Sequence, residues 1–333
     1  MRALICRAWG EIGDLALADV AAPEPAADEV LIDVVASSAN FADTIMVAGK
    51  YQTKPAFPFS PGLEAAGRIA AVGKDVEGLR PGDRVMAILA HGGFAEQVTA
   101  KADEVWPLFE GMGFDEGAAF PVAYISAHVA IRWQGRLESG ETMLVLGAAG
   151  GSGMAAVEIG KAMGARVIAG ASSDDRLEAV QAHGADAVVN YKTEDLKEQV
   201  LALTDGRGAD VVFDPIGGSL FDAALSSLGW GGRFIHFGFV GGVPQVPANR
   251  LLVKHRSAVG SSLRYFRWHR PDLLKRSMAD LATFYESGQL RPIISHRLPL
   301  EQGIEALALL TGRKAFGKVV VTVREEPDDA ARS

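Results

Sequence analysis

The chain has 333 residues, enough for two domains that each bury a core, with 48% hydrophobic and 22% charged residues, an ordinary globular balance. A formal net charge of −8 argues against a nucleic-acid-binding surface, which needs basic charge to neutralise phosphates. The single cysteine, Cys6, excludes an internal disulfide and a cysteine-based zinc cluster, and reads as packing in an apolar run. No charged leader followed by an apolar stretch opens the chain, and the longest uncharged segments are broken by glycine and fall short of a membrane span, so a soluble cytoplasmic protein without membrane contact is expected.

In chain order, the first ~120 residues read as β-rich, with short apolar runs between turn signals. Strands are predicted at Glu29 to Val35, Gly67 to Val72, Asp83 to Leu89 and Gly93 to Thr99, with turns at Val72-Gly73-Lys74 and Leu79-Arg80-Pro81-Gly82-Asp83. From about Tyr124 the texture changes. Strands at Met143 to Leu146, Arg166 to Ala169, Ala187 to Asn190, Val211 to Asp214 and Arg233 to Phe237 alternate with helices at Met154 to Met163, Asp174 to His183, Thr193 to Thr204 and Gly218 to Leu228. Such alternation marks a doubly wound parallel sheet, and hence an α/β fold. The basic, aromatic run Arg264 to Arg270 reads as a helix start with snorkelling arginines rather than a base-stacking patch. A helix at Pro271 to Glu286 follows. The strand-like Gly317 to Val321 suggests a return to the first domain, and Glu325 to Ser333 reads as disordered.

The run Gly147-Ala148-Ala149-Gly150-Gly151-Ser152-Gly153 follows the first apolar strand of the alternating half and opens its first helix. Backbone N–H groups and the helix dipole at such a turn face a bound phosphate, and glycines admit its close approach. If a dinucleotide binds there, the end of the next strand reports on the adenosine ribose. An NAD site usually has a carboxylate at that point. Here Ala171-Ser172-Ser173 follows the strand, with Asp174, Asp175 and Arg176 after it. Ser172, Ser173 and Arg176 can hold a 2′-phosphate, which favours NADP(H) over NAD(H). The competing reading makes Ser173 an N-cap, Asp174 and Asp175 dipole partners, and Arg176 a surface residue.

Asn40-Phe41-Ala42-Asp43-Thr44, Gly49-Lys50-Tyr51 and Pro61-Gly62-Leu63-Glu64-Ala65-Ala66-Gly67 resemble the quinone oxidoreductases, the zinc-independent branch of the medium-chain dehydrogenase/reductase superfamily. Gly78 to Val85, Gly147 to Gly153, Asp214-Pro215-Ile216-Gly217-Gly218 and Gly317-Lys318-Val319-Val320 extend the resemblance in order over nearly the whole chain. It implies a GroES-like β-rich catalytic domain at 1–122 and 288–333, a Rossmann cofactor domain at 123–287, and a homodimer or homotetramer. Zinc-dependent relatives have a catalytic cysteine where this chain has Asn40, and a histidine where it has Leu63. They also carry a four-cysteine lobe that this chain lacks. Leucine cannot ligate zinc and asparagine ligates it poorly, so no metal is expected. Without that Lewis acid, alcohol oxidation is disfavoured and an electron-poor acceptor is favoured.

The resemblance further implies that Asn40 and Tyr51 border the nicotinamide and substrate, with either able to donate a hydrogen bond. Ile45 stands where bacterial members often carry a second tyrosine. Ser126 takes the place of a threonine near the nicotinamide and Tyr191 resembles a tyrosine beside the adenosine phosphate, and Arg313 is a further candidate to reach the cofactor. Gly238, Phe239 and Val240 end a strand at the carboxyl edge of the sheet, where open parallel sheets bind ligands. Glu64, without a metal, becomes a structural partner. The expected reaction is NADPH-dependent reduction of a quinone, with an enal, enone or enoyl thioester as alternative acceptor, and non-catalytic NADPH binding as a third reading.

Overall fold

The computed structural model describes residues 1–325; of the segment read as disordered, 326–333 lie outside the described residues. The chain divides into two compact units, Met1–Val122 with the residues from Ile294 onward, and Ala123–Ile293.

The first unit is built on a seven-stranded sheet. Its long strand Glu29–Ala39 pairs antiparallel with Glu64–Val72 along one side, and with Gln97–Lys101 and Lys318–Thr322 along the other. Val30, Ile32 and Val34 are fully buried while Leu31 and Asp33 are half-buried, the alternation of a strand with one face on a core. The strand runs four residues beyond the predicted Val35. Ala36-Ser37-Ser38-Ala39 carries little β propensity, yet all four are buried and pair with Thr322, Val321, Val320 and Val319. The returning tail therefore completes this sheet. Glu64–Val72 likewise begins three residues before the predicted Gly67, which places Glu64 inside a strand. Cys6 is buried, its Sγ donating to the Ala8 carbonyl at 3.1 Å.

The second unit holds a six-stranded, all-parallel sheet in the spatial order Ala187–Asn190, Arg166–Ala171, Thr142–Val145, Ala209–Asp214, Leu228–His236, Ser257–Gly260. Numbered by sequence this is 3-2-1-4-5-6, the dinucleotide-binding order, in which the chain reverses direction beside the first strand. The sixth strand, the short Ser257–Gly260, was not predicted, because four residues without alternation carry no periodic signal. The helix read as Gly218 to Leu228 is a 3₁₀ turn at Gly218–Leu220 followed by the α-helix Phe221–Ser227, and Leu228 already belongs to the next strand. The 264–270 run forms the helix Leu263–His269, with the Arg264 guanidinium 3.9 Å from the Trp268 ring centroid.

Candidate functional site

The first unit concentrates its chemistry where the strand Glu29–Ala39 runs into the short helix Phe41–Val47. Asn40 stands at that junction, extended (φ −122°, ψ 148°), and its backbone N–H donates to Asp43 Oδ2 at 2.8 Å. Asp43 Oδ1 accepts from the Gly62 N–H at 3.0 Å. Gly62 has φ +105°, and a Cβ there would lie 2.7 Å from Gly93 Cα, so only glycine brings that N–H to the carboxylate. Asp43 is fully buried, and desolvation pushes its carboxyl up to about 7. The two backbone donors and Lys318 oppose that rise, and the Glu64 charge adds to it.

Glu64 is the hub beside it, also with no exposed surface. Its Oε1 accepts from Ser38 Oγ, from Asn40 Nδ2 at 2.8 Å and from Lys318 Nζ at 2.7 Å, and its Oε2 accepts from the Val122 N–H at 2.7 Å. Lys318 Nζ also donates to Asn40 Oδ1 at 2.8 Å. A lysine only donates and a carboxylate only accepts, so these two partners fix which way the Asn40 amide points. The second Nδ2 proton reaches the Ser38 carbonyl at 3.3 Å. Both amide protons thus have partners within the unit, and a donor role for Asn40 toward a ligand requires one of these bonds to be exchanged.

Asn40, Leu63 and Glu64 make a poor metal site. Leucine has no donor atom, and the Glu64 carboxylate is occupied by an ammonium, a hydroxyl and two N–H groups. Zinc does not fit this donor set. Tyr51, beyond the helix, is half-buried and packs against the core of this unit. Arg313 is exposed, in a left-handed conformation (φ +53°) just after the helix Gly303–Thr311.

In the second unit the glycine run links the strand Thr142–Val145 to the helix Gly151–Ala162. The helix starts three residues earlier than predicted, so Gly151, Ser152 and Gly153 form its first turn, with Gly150 extended at the N-cap. Gly147 has φ +56°, and a Cβ on Gly153 would sit 2.2 Å from the Gly147 carbonyl oxygen. The turn is closed tightly enough that both positions require glycine. The Ala148 N–H donates to the Gly170 carbonyl at 3.0 Å, tying the turn to the next strand, while Ala149 is buried beneath it. Tyr191 is half-buried, its ring edge against Gly170.

Ser172 and Ser173 follow the strand Arg166–Ala171, and Ser173 is the N-cap of the helix Asp174–Ala182 without a side-chain capping bond. Its side chain instead bonds Asp175, holding that carboxyl below its ordinary value, with Arg176 adding to the effect. Asp174 Oδ1 accepts from Asn190 Nδ2 at 2.7 Å. The first two carboxylates of this helix are therefore engaged locally, and half-buried Arg176 is the cation beside them.

Along the carboxyl edge, Asp214 ends its strand fully buried. Its Oδ1 accepts from the Ile216 and Gly217 N–H groups at 2.8 and 2.9 Å, while its Oδ2 has no partner and burial raises the carboxyl's pKa. His236 Nε2 and Ser261 Oγ, at the ends of the two neighbouring strands, are likewise buried without partners. Unsatisfied buried polar atoms are rare, and three in a row at the ligand-binding edge of a parallel sheet suit a polar ligand there. Together with the closed glycine turn, the residues of this unit fit a dinucleotide. The Gly238 to Val240 segment lies beside them, the Gly241 N–H donating to Ile216 O at 2.8 Å, with Phe239 and Val240 exposed. Ser126 is buried in the short helix Ser126–His128.

Sequence reasoning missed Lys318 and Ser38. A lysine opening the apolar strand Lys318–Thr322 reads as a surface residue, yet it is 5% exposed. The signal was available in Glu64, whose burial in a strand obliges a cation nearby.

This architecture, a β-rich unit joined to a dinucleotide-binding sheet of order 3-2-1-4-5-6, defines a medium-chain dehydrogenase/reductase. The alcohol dehydrogenase GroES-like domain family matches residues 26–110, and the zinc-binding dehydrogenase family matches residues 151–279. A quinone oxidoreductase-like protein 2 homolog of Nematostella vectensis is 38% identical over 301 residues, covering 89% of this chain and 82% of the relative. The Homo sapiens quinone oxidoreductase is 32% identical over 91% of this chain and 92% of its own. The crystal structure of Escherichia coli quinone oxidoreductase complexed with NADPH superposes with a TM-score of 0.90 at 26% identity, covering 97% of this chain and 100% of the other. The chain belongs to the zinc-independent quinone oxidoreductase branch of the medium-chain dehydrogenase/reductase superfamily.

Proposed function

We propose that this protein is an NADPH-dependent reductase that delivers hydride to quinones without a metal. The observation that carries the reading is the Asn40–Glu64–Lys318 cluster: where metal-dependent relatives hold zinc, this unit holds an ion pair that leaves no ligand to spare. The NADPH bound by the Escherichia coli relative supports the cofactor. Bound NADPH supplies the hydride, and a proton completes reduction of the quinone to the hydroquinone.

Gly147, Ala148, Ala149, Gly150, Gly151, Ser152 and Gly153 hold the pyrophosphate at the N-terminus of the helix Gly151–Ala162. Ser172, Ser173 and Arg176 hold the 2′-phosphate, the Arg176 guanidinium supplying the charge-assisted bonds. Tyr191 flanks the adenosine end. Ser126, Gly238, Phe239, Val240 and Arg313 complete the cofactor contacts. Asn40 and Tyr51 border the acceptor. A quinone spreads incoming charge through conjugation, so positioned hydrogen bonds suffice where an alkoxide would need a Lewis acid.

The outer edge of the strand Ser257–Gly260 has no neighbour among the described residues, and Leu252, Val253 and Trp230 are 82%, 65% and 73% exposed. These support a homodimer, which analytical ultracentrifugation tests. Among the described residues no helix is long and apolar enough to cross a membrane, and the proposed location is the cytoplasm.

Stopped-flow mixing of NADPH-loaded protein with quinones, enals and enoyl thioesters tests the function. Fastest oxidation by quinones is expected. Faster oxidation by enals or thioesters reassigns the acceptor, and tight NADPH binding with no oxidation by any of them overturns the enzymatic reading.

A further inference from the structure

Lys318 places an ammonium in the interior of the first unit, 2.7 Å from Glu64 Oε1 and 2.8 Å from Asn40 Oδ1. Burying a charge is costly, and a pair whose only task is to neutralise itself can be exchanged for neutral groups with little loss of stability. The pair here does more than cancel. It spans the Asn40 side chain, whose two ends it holds in opposite senses, carbonyl oxygen on the lysine and amide nitrogen on the glutamate. Two carboxyl groups, Asp43 and Glu64, are fully buried beside this amide, and Lys318 and Glu64 are the charged side chains that act on Asp43.

We propose that Lys318 is a positioning residue for the reduction: its ammonium locks the Asn40 amide in one orientation and offsets the carboxylate charge beside which the acceptor oxygen becomes negative. The inference rests on the functional reading above. Hydride addition to a quinone leaves an oxyanion until a proton arrives. Uncompensated carboxylates in a low-dielectric interior oppose that charge, and a neighbouring ammonium removes the opposition. Orientation matters equally, because an Asn amide turned by half a revolution offers an acceptor where a donor stood. Lys318 acts through Asn40 and the local potential, without touching the acceptor.

Three variants test this: Lys318→Met, Lys318→Arg, and the double variant Lys318→Met with Glu64→Gln. The single methionine variant strands Glu64 without its cation and is expected to melt early. The double variant removes both charges, and Asn40 is free to turn and pair with the glutamine, so it is expected to fold. Kinetics use 9,10-phenanthrenequinone and NADPH, with NADPH affinity followed by fluorescence. In the double variant, melting temperature and NADPH affinity are expected to stay near wild type and KM for the quinone within threefold. The kcat is expected to fall at least 30-fold, with a larger isotope effect from 4-deuterated NADPH as hydride transfer becomes limiting. Lys318→Arg, which keeps the charge, is expected to recover most of kcat. A double variant that folds and turns over within threefold of wild type, with an unchanged isotope effect, overturns the inference while leaving the functional reading intact. A wild-type protein that binds NADPH but fails to oxidise it when 9,10-phenanthrenequinone is supplied overturns both.

Discussion

The Asp43–Glu64–Lys318 cluster of the first unit and the Gly147–Gly153 turn of the second build a site by opposite means. The cluster uses side chains that carry charge, buries them, and satisfies them against one another and against the N–H groups of Asn40, Gly62 and Val122. The turn uses residues with almost no side chain, and its chemistry lies in the backbone of a helix start. At the strand ends beside it, Asp214, His236 and Ser261 each keep a buried polar atom unpaired. A network that satisfies itself is rigid and sensitive to protonation, whereas a backbone cradle is insensitive to pH and intolerant of bulk.

The largest effect that separates the two is pH-dependent stability. Asp43 keeps its proton in the folded chain until about pH 7, while an unfolded aspartate loses it near its ordinary value of 3.8. The folded state therefore binds the extra proton between these values, so stability is full below about pH 4 and falls as the pH rises through 7. At about 1.4 kcal/mol per unit the loss amounts to roughly 4 kcal/mol. Urea melts from pH 4.5 to 8 should show this slope, and Asp43→Asn should flatten it; an equal slope in both proteins breaks the contrast.

Next comes the cradle. Gly153→Ala sets a methyl group 2.2 Å from the Gly147 carbonyl oxygen, so the turn must open. NADPH affinity is expected to drop roughly 100-fold, about 2.7 kcal/mol, in a fluorescence titration at any pH from 6 to 8. Binding within threefold of wild type would show that the backbone there is not the phosphate site. A smaller effect is expected of Arg176→Ala, which should weaken NADPH about tenfold and NADH hardly at all, since one charge-assisted contact to the 2′-phosphate is lost. Equal losses for both nucleotides would remove that role. The smallest is none: chelator or added zinc should leave turnover unchanged within twofold, and a strong response would contradict the occupied Glu64.

The two regions also differed in how far they could be read from sequence. The parallel sheet was legible because strand and helix periods alternate regularly, and the turn because glycines mark conformations other residues avoid. The cluster was half legible. Asn40, Asp43 and Glu64 stood out through the segments that resemble the quinone oxidoreductases, but Lys318 lies 278 positions from Asn40 and shows its partner only when the strands Glu29–Ala39 and Lys318–Thr322 pair. The predicted strand stopped at Val35, short of the buried Ala36-Ser37-Ser38-Ala39 stretch, because small residues carry little β propensity. Here they are small because the Ser37 and Ser38 hydroxyls must reach Glu64, the first to its carbonyl at 2.6 Å and the second to its carboxylate. The competing reading of Ser173 as an N-cap matches its position, but its side chain makes no capping bond. The hydroxyl donates to the Asp175 carboxylate, a charge-assisted bond.

The pairing of Lys318–Thr322 with Glu29–Ala39 also orders events during synthesis. Asn40, Asp43 and Glu64 leave the ribosome early, and the cation that makes their burial tolerable arrives only after the whole of Ala123–Ile293 has been translated. That intervening stretch is uninterrupted and can close its own sheet while the first unit waits with an unpaired strand edge and exposed carboxylates. The half of the protein that begins the chain is the half that finishes folding.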